Sequence, residues 1–175
     1  MNACVKWGAR PAQRGDEIQR VMKLLEDYSI QPKRAFGQNF LIDESIIEKI
    51  INSLDVEKYE TVLEIGPGLG ALTIPLRKRA KRMIAVEADR DMASILSKEL
   101  KDSENFTLIN EPFEHWNHDG LDTTNLLVVG NLPYNLTTNP PTIRRLYHLR
   151  NGQKNKFLCI PSKKESKGKT KTIFC

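Results

Sequence analysis

The sequence predicts an α/β protein built on a parallel sheet. Between residues 61 and 130, short apolar runs rich in β-branched residues alternate with segments of helical periodicity, which is typical of βαβ units. A glycine-rich turn follows the first of these runs, as in folds that bind ligands at the carboxyl ends of their strands. The 175 residues, of which 39% are hydrophobic and 28% charged, are enough for one domain with its own core.

Two amphipathic helices are predicted before the sheet. The first begins at Asp16, with Asp16 as its cap, and has apolar residues at three- and four-residue steps through Tyr28. The second has Asp43 as its N-cap and continues through Leu54. Residues 1–15 show no periodicity, and we expect them to be disordered.

The sheet region itself predicts four strands and two helices. The strands are expected at residues 61–65, 82–88, 105–109 and 125–130, and the helices at residues 70–80 and 90–101. Beyond residue 139 the pattern weakens, because Pro140 and Pro141 exclude an immediate helix. A fifth strand is predicted at residues 156–160.

The net charge of +5 is concentrated near the C-terminus. Residues 150–175 carry eight Lys or Arg and one Glu, whereas residues 1–149 carry 19 basic and 21 acidic residues. Such a lysine-rich segment either binds polyanions or is a solvated end, and we favour the solvated end. No apolar run is long enough for a membrane span and no secretory signal is recognisable, so we expect a cytoplasmic protein without a membrane partner.

Neither a disulfide framework nor a metal site is predicted. The three cysteines are far apart and form no C-x-x-C pair. His115 and His118 share a short loop with Glu114 and Asp119, and we interpret this group as solvated polar residues rather than as metal ligands.

A glycine-rich loop joins the first predicted strand to the following helix. Gly66, Gly68 and Gly70 in "LEIGPGLGALT" have no Cβ, so the chain can turn sharply and a ligand can approach the backbone. Such loops also occur for purely structural reasons. Glu87 strengthens the functional interpretation because it ends the second strand 21 residues after Gly66, where a carboxylate can accept hydrogen bonds from both ribose hydroxyls. Together the loop and Glu87 predict an adenosine site.

The adenosine site could serve a dinucleotide or S-adenosylmethionine. Dinucleotide-binding loops typically have the spacing G-x-G-x-x-G, whereas residues 66–70 read G-x-G-x-G. Glu64, just before the loop, would repel a pyrophosphate but suits a ligand that carries an ammonium and a sulfonium. These residues favour S-adenosylmethionine over NAD.

The stretch "GNLPYN", residues 130–135, closes the fourth predicted strand at the edge of the sheet where ligands bind. The Asn131 side-chain oxygen and a neighbouring backbone carbonyl can accept hydrogen bonds from both N–H groups of an exocyclic amine. These hydrogen bonds would orient the lone pair of the amine nitrogen toward a methyl donor. Pro133 fixes the backbone, and Tyr134 offers a face on which a flipped-out base can stack. We interpret the motif as a clamp for a planar amine; the structural alternative is a strand end with Tyr134 in the core.

Four motifs in this order and spacing resemble the ribosomal RNA adenine dimethyltransferases, most closely the bacterial small-subunit enzymes. The motifs are "FGQNFLID", "LEIGPGLGALT", "VEADRDM" and "NLPYN", and the resemblance covers residues 16–138. It implies a Rossmann-like S-adenosylmethionine-dependent methyltransferase sheet. It also implies dimethylation of adenosines at N6 in small-subunit ribosomal RNA, with the pre-30S particle as partner and a monomeric enzyme without a metal.

The resemblance assigns roles to residues of the matching motifs. The implied cofactor contacts are Asn39, Leu41, Gly66, Gly68, Glu87, Glu111 and Asn131. The implied catalytic residues are Asn131, Leu132, Pro133 and Tyr134. The implied contacts to RNA phosphates are Lys33 and Arg34.

Two features depart from the family pattern. After the third strand the family has an aspartate that accepts a hydrogen bond from the cofactor's adenine amine, and the aligned residue here is Pro112, with Glu111 beside it as an imperfect substitute. Losing one such bond costs about 1–3 kcal/mol, so we expect weaker binding. The resemblance also fades after Thr138. We therefore expect a C-terminally truncated sheet, an absent helical domain and impaired activity.

The expected organisation is a disordered N-terminus (1–15), a methyltransferase cofactor-binding domain (16–138) and a divergent basic segment (139–175). The principal hypothesis is methyl transfer from S-adenosylmethionine to adenosine N6 of ribosomal RNA. One alternative is a non-catalytic module for ribosomal RNA binding or ribosome assembly that keeps the cofactor fold. A second is an NAD-dependent oxidoreductase, which the glycine spacing and the "NLPY" motif disfavour.

Overall fold

A mostly parallel sheet of six strands organises the part of the chain that the structure describes. The computed structural model describes residues 16–29, 41–130, 156–159 and 173–174. The strands are β1 (Thr61–Ile65), β2 (Arg82–Val86), β3 (Phe106–Ile109), β4 (Leu126–Gly130), β5 (Lys156–Cys159) and β6 (Ile173–Phe174). Their order is β3-β2-β1-β4-β5-β6; neighbours from β3 to β5 are parallel, and β6 is antiparallel to β5. This arrangement confirms the predicted α/β class.

Four α-helices belong to the described residues. They are α1 (Asp16–Asp27), α2 (Glu44–Ser53), α3 (Thr73–Arg77) and α4 (Arg90–Glu99), and a short 3-10 helix spans Val56–Lys58. Asp43 caps α2 as predicted, because its carboxylate accepts hydrogen bonds from the backbone N–H groups of Ser45 and Ile46. The prediction of Asp16 as a cap is wrong, since α1 begins at Asp16 itself. Because Asp16 lies in the first turn, its negative charge still interacts favourably with the helix dipole and stabilises α1.

The strands match their predictions closely, whereas one helix does not. Each of β1 to β4 lies within its expected range, and β5 confirms the fifth strand. The helix predicted over residues 70–80 is only Thr73–Arg77. Turns precede it because Gly68 and Gly70 have positive φ values of 56° and 85°, which a right-handed helix does not accept.

The sheet is covered on both faces, as buried parallel sheets usually are. Alternate residues of β1 and β4 enter two separate clusters. On one face the strand residues pack with α2 and α3; this cluster includes Ile47, Ile51, Val62, Leu72, Leu76, Leu127 and Val129. On the other face they pack with the segment after β3; this cluster includes Leu63, Ile65, Phe113, Trp116, Leu126 and Val128.

The order in which strands are added to the sheet reverses between β1 and β4, which are parallel neighbours. From β1 the chain runs outward through β2 to β3, and then returns to place β4 on the opposite side of β1. Ligands of open α/β sheets bind outside the carboxyl ends of the strands at such a switch point. The register pairs Ile65 with Gly130, so the glycine-rich loop and the "NLPYN" motif follow paired residues in the sequence. No helix of the described residues is long and apolar enough to cross a membrane.

Candidate functional site

The glycine-rich loop, residues 66–70, folds directly over the carboxyl end of β1. Its three glycines all have positive φ, and the Gly66 N–H donates to the Val86 carbonyl at 2.9 Å. A Cβ on Gly70 would lie 2.7 Å from Leu96 Cδ1, whereas a Cβ on Gly68 would meet nothing within 4 Å. A side chain at Gly70 is therefore disfavoured by the positive φ and by the buried Leu96 side chain of α4, which would have to shift, and Gly68 borders open space that a ligand could occupy.

Glu87 lies at the loop as predicted, immediately after β2. Its Oε2 accepts a hydrogen bond from the Gly68 N–H at 2.9 Å, and its Oε1 accepts one from the Asp89 N–H at 2.8 Å. A carboxylate has about four acceptor positions, so Glu87 can still accept a hydrogen bond from a ribose hydroxyl. Burial raises the pKa of Glu87 above its ordinary value, although hydrogen bonds from the backbone N–H groups of Asp89, Gly68 and Ala88 oppose that shift.

Glu64 is placed differently from what the sequence suggested. Its side chain is 1% exposed, and Thr73 Oγ1 donates to its Oε2 at 2.7 Å. Burial raises the pKa of Glu64 to about 8, and the neighbouring charge of Glu87 adds to this shift. Glu64 is therefore mostly protonated at neutral pH. The argument that its charge would repel a pyrophosphate and attract an ammonium is wrong in that form.

The remaining predicted site residues are only partly within the described chain. Leu41 is half-buried and packs against the core cluster beside α2 and α3, and Glu111 is half-buried just beyond β3. Their contacts to a cofactor stay predictions. The residues that lie outside the described part of the chain are Lys33, Arg34, Asn39, Asn131, Leu132, Pro133 and Tyr134.

Pro112, the departure from the family pattern, has a structural role. Its carbonyl accepts hydrogen bonds from the N–H groups of His115 and Trp116 at 2.8 and 3.1 Å, and the resulting turn brings Phe113 and Trp116 into the core. Glu111 precedes this turn at the carboxyl end of β3. It is thus the carboxylate nearest in sequence to the position where the family aspartate was expected.

Three polar residues near the site were missed by sequence reasoning. Asp89 caps α4 through the N–H groups of Asp91 and Met92, and Asn110 Nδ2 donates to the Glu87 carbonyl at 2.8 Å. The third is Thr73, the donor to Glu64. Asp89 could have been found from its position before a helical pattern, which is the signal that identified Asp43.

The histidine-containing loop forms an aromatic contact. The ring of His118 lies 5.8 Å from that of Trp116 between centroids, and His115 and Asp119 are exposed. Within residues 16–29 and 41–130, no group of three or more His, Cys, Asp or Glu side chains could hold a metal ion.

The fold and site define a Rossmann-like α/β protein with a candidate ligand site at the carboxyl ends of β1 and β2. A parallel sheet with β1 between β2 and β4, a G-x-G-x-G loop after β1 and a carboxylate after β2 are its defining features. Residues 30–163 match the family model described as ribosomal RNA adenine dimethylase. The chain belongs to this family. The match begins later and ends later than the resemblance read from the motifs, which covered residues 16–138.

Individual relatives agree with this assignment. Ribosomal RNA small subunit methyltransferase A of Clostridium botulinum (strain Loch Maree / Type A3) is 42% identical over 126 residues, which are 71% of this chain and 45% of that protein. The chain thus spans about half the length of the curated relatives that it matches.

Two solved structures are also similar. The 23S rRNA methyltransferase ErmE has a TM-score of 0.58 at 25% identity, covering 70% of this chain and 48% of its own. A dimethyladenosine transferase from Plasmodium falciparum has a TM-score of 0.55 at 26% identity, covering 67% of this chain and 42% of its own.

Proposed function

We propose that the chain binds S-adenosylmethionine at the carboxyl ends of β1 and β2 and transfers methyl groups to N6 of adenosines in small-subunit ribosomal RNA. The observation that carries the proposal is the pair formed by Glu87 and Gly68, a buried carboxylate beside a glycine that borders open space. Membership of the ribosomal RNA adenine dimethylase family supports the reaction. The similarity to a small-subunit methyltransferase supports the choice of RNA.

The residues of the site fit the proposed cofactor. Glu87 would hold the ribose hydroxyls, and Gly66 and Gly68 would allow the ligand to approach the loop backbone. Glu111 would accept the hydrogen bond of the adenine amine, and Asn39, Leu41 and Asn131 would complete the contacts. When bound, S-adenosylmethionine supplies an electrophilic methyl group on a sulfonium.

The "NLPY" motif would hold the target base. Asn131 and the adjacent backbone carbonyl, whose orientation Leu132 and Pro133 would set, would accept hydrogen bonds from the N–H groups of the adenine amine. These hydrogen bonds would orient the lone pair of the amine. Tyr134 would stack on the flipped-out base. Lys33 and Arg34 would contact RNA phosphates. In this proposal the protein acts in the cytoplasm as a monomer on the pre-30S particle.

The first experiment is calorimetric titration of the chain with S-adenosylmethionine. Glu87→Ala should weaken binding at least about 100-fold, because two hydrogen bonds to a charged group are lost at about 1.5–3 kcal/mol each. Glu104→Gln, which removes an exposed glutamate, is the matched control and should bind as the wild type does. A folded wild-type chain that takes up no S-adenosylmethionine would refute the cofactor assignment, and binding of NADH instead would favour an oxidoreductase.

The second experiment measures transfer of labelled methyl groups to small-subunit RNA that lacks the modification. We expect incorporation at N6 of adenosine by the wild type and a loss of at least about 100-fold in kcat for Asn131→Ala, since the amine loses one of its two acceptors. The cofactor affinity of this variant is measured in parallel. RNA and cofactor binding without transfer by the wild type would instead support the non-catalytic assembly module.

A further inference from the structure

Helix α1, which precedes the sheet, packs directly on the glycine-rich loop. Val21 and Leu24 of α1 form a buried cluster with Leu69 of the loop and with Met92 and Ile95 of α4. At the end of α1, the Lys98 ammonium of α4 lies 4.7 Å from the centroid of the Tyr28 ring. Leu69 of the loop therefore packs between two helices, and α1 is the one outside the βαβ units.

Arg20 of α1 makes a polar contact with the loop in addition to this packing. Its Nη2 donates to the Leu69 carbonyl at 2.8 Å. The same guanidinium is fixed from its own helix by Glu17, which accepts from Nε at 2.9 Å and from Nη2 at 2.7 Å. Its Nη1 makes no hydrogen bond to the described residues, and Glu99 Oε2 at the end of α4 lies 3.8 Å from it. Because Glu17 holds the edge formed by Nε and Nη2 with two hydrogen bonds, the guanidinium has little freedom to leave the carbonyl.

Glu17 in turn is tied to the next helix. Its backbone N–H donates to Glu44 Oε1 of α2 at 2.7 Å. The side chain of Arg20 is 23% exposed and that of Glu17 is 15% exposed, so solvent weakens this pair only in part. The start of α1 is thus connected to α2, to α4 and to the loop through neighbouring polar contacts.

We infer that Arg20 is a positioning residue for the proposed cofactor site, which sets the conformation of the loop through the Leu69 carbonyl. The inference rests on the proposed function for its link to S-adenosylmethionine. Side chains hold two peptide groups of the loop: Glu87 accepts from the Gly68 N–H of the Pro67–Gly68 peptide, and Arg20 donates to the carbonyl of the Leu69–Gly70 peptide. A loop fixed at these two peptides, with only the Gly68–Leu69 peptide between them, keeps the open space beside Gly68 available before a ligand arrives.

Hydrogen exchange of the loop amides tests the inference without any ligand. Arg20→Met keeps an unbranched apolar stem but removes every donor. The Leu69–Gly70 peptide then loses its restraint, so the Gly70 N–H, which donates to the Pro67 carbonyl at 2.9 Å, should exchange about tenfold faster. The amide of Leu63 within β1 should be unchanged. Arg79→Met is the control, since Arg79 is an exposed arginine bonded to Asn52 Oδ1 at 2.9 Å, and it should leave Gly70 at the wild-type rate.

Cofactor affinity provides a second readout, with S-adenosylhomocysteine as the probe and each variant first shown to be folded by urea titration. Arg20→Met should bind about tenfold more weakly, which corresponds to about 1.4 kcal/mol. Arg20→Lys, which can still donate to the Leu69 carbonyl, should recover part of that loss. In a methyl-transfer assay the cofactor KM of Arg20→Met should rise while kcat stays near the wild-type value.

The results separate this inference from the proposed function. Unchanged exchange at Gly70 in Arg20→Met, or equal effects of Arg20→Met and Arg79→Met on exchange or affinity, would overturn the role of Arg20. A wild-type chain that does not bind the probe would count against the proposed function instead, while the exchange rates would still decide whether Arg20 holds the loop.

Discussion

Replacement of Glu64 by glutamine should change how the stability of the protein depends on pH. The Glu64 carboxyl is 1% exposed and hydrogen-bonded by Thr73, and burial raises its pKa from the ordinary 4.5 to about 8. Between these two values the folded state binds a proton that the unfolded state has released. The contribution of Glu64 to stability is therefore complete below pH 4.5 and decreases as the pH rises toward 8.

The magnitude follows from this difference in protonation. One proton of difference gives a slope of about 1.4 kcal/mol per pH unit. Between pH 5 and pH 7 the wild type should therefore lose roughly 2–3 kcal/mol that Glu64→Gln retains, because the amide does not titrate. Thr73 can donate to the glutamine oxygen as well. Any remaining difference in unfolding free energy that does not vary with pH shifts the two curves by a constant and leaves the slope unchanged.

The assay is urea unfolding of both proteins at pH 5, 6 and 7, with the difference in unfolding free energy plotted against pH. We expect Glu64→Gln to gain relative to the wild type at each step. Glu104→Gln, which replaces an exposed glutamate, is the control for the loss of one carboxylate from the chain. A difference that stays level or declines with pH would mean that Glu64 is ionised in the folded protein, and the reasoning from its burial would be wrong.

Two further predictions concern the loop and the helix that follows it. Gly70→Ala should destabilise the chain by about 1–3 kcal/mol in urea unfolding, because φ is 85° and the new Cβ would lie 2.7 Å from Leu96 Cδ1. Gly120→Ala is the control, since its Cβ meets nothing within 4 Å, and its unfolding free energy should stay near that of the wild type. Asp89→Ala should cost about 1–2 kcal/mol by the same measurement, since α4 loses the acceptor of two backbone N–H groups, and a loss no larger than that of the exposed Asp102→Ala would contradict the capping role.

The sheet was predictable from the sequence because its strands are local patterns. The apolar runs at residues 61–65 and 125–130 are bounded by polar residues, and both become fully buried strands. Asp43 was predictable for the same reason, since a capping residue needs only its own helix. The start of α3 was not predictable in this way, because the positive φ values of Gly68 and Gly70 delay the start of the helix.

The environment of the site residues could not be predicted in the same way. The charge of Glu64 depends on Thr73 nine residues away and on burial by the whole sheet, and a sequence shows neither. The contact of Arg20 with Leu69 joins residues 49 positions apart. Periodicity identified α1 as an amphipathic helix but did not indicate what its polar residues would contact.

The contacts around the glycine-rich loop imply that folding itself prepares the adenosine part of the proposed cofactor site. Gly66 is fixed by β2, Gly68 by Glu87 and Leu69 by Arg20, and Leu96 fills the space beneath Gly70. A ligand that binds there does not have to order this loop, so more of its contact energy appears as affinity. The hydrogen bonds that Glu87 accepts from the Gly68 and Asp89 N–H groups also orient its carboxylate. In the proposed function, affinity for the ribose should therefore depend on folding of β1, β2 and α4, whereas methyl transfer to a base would depend in addition on Asn131 to Tyr134.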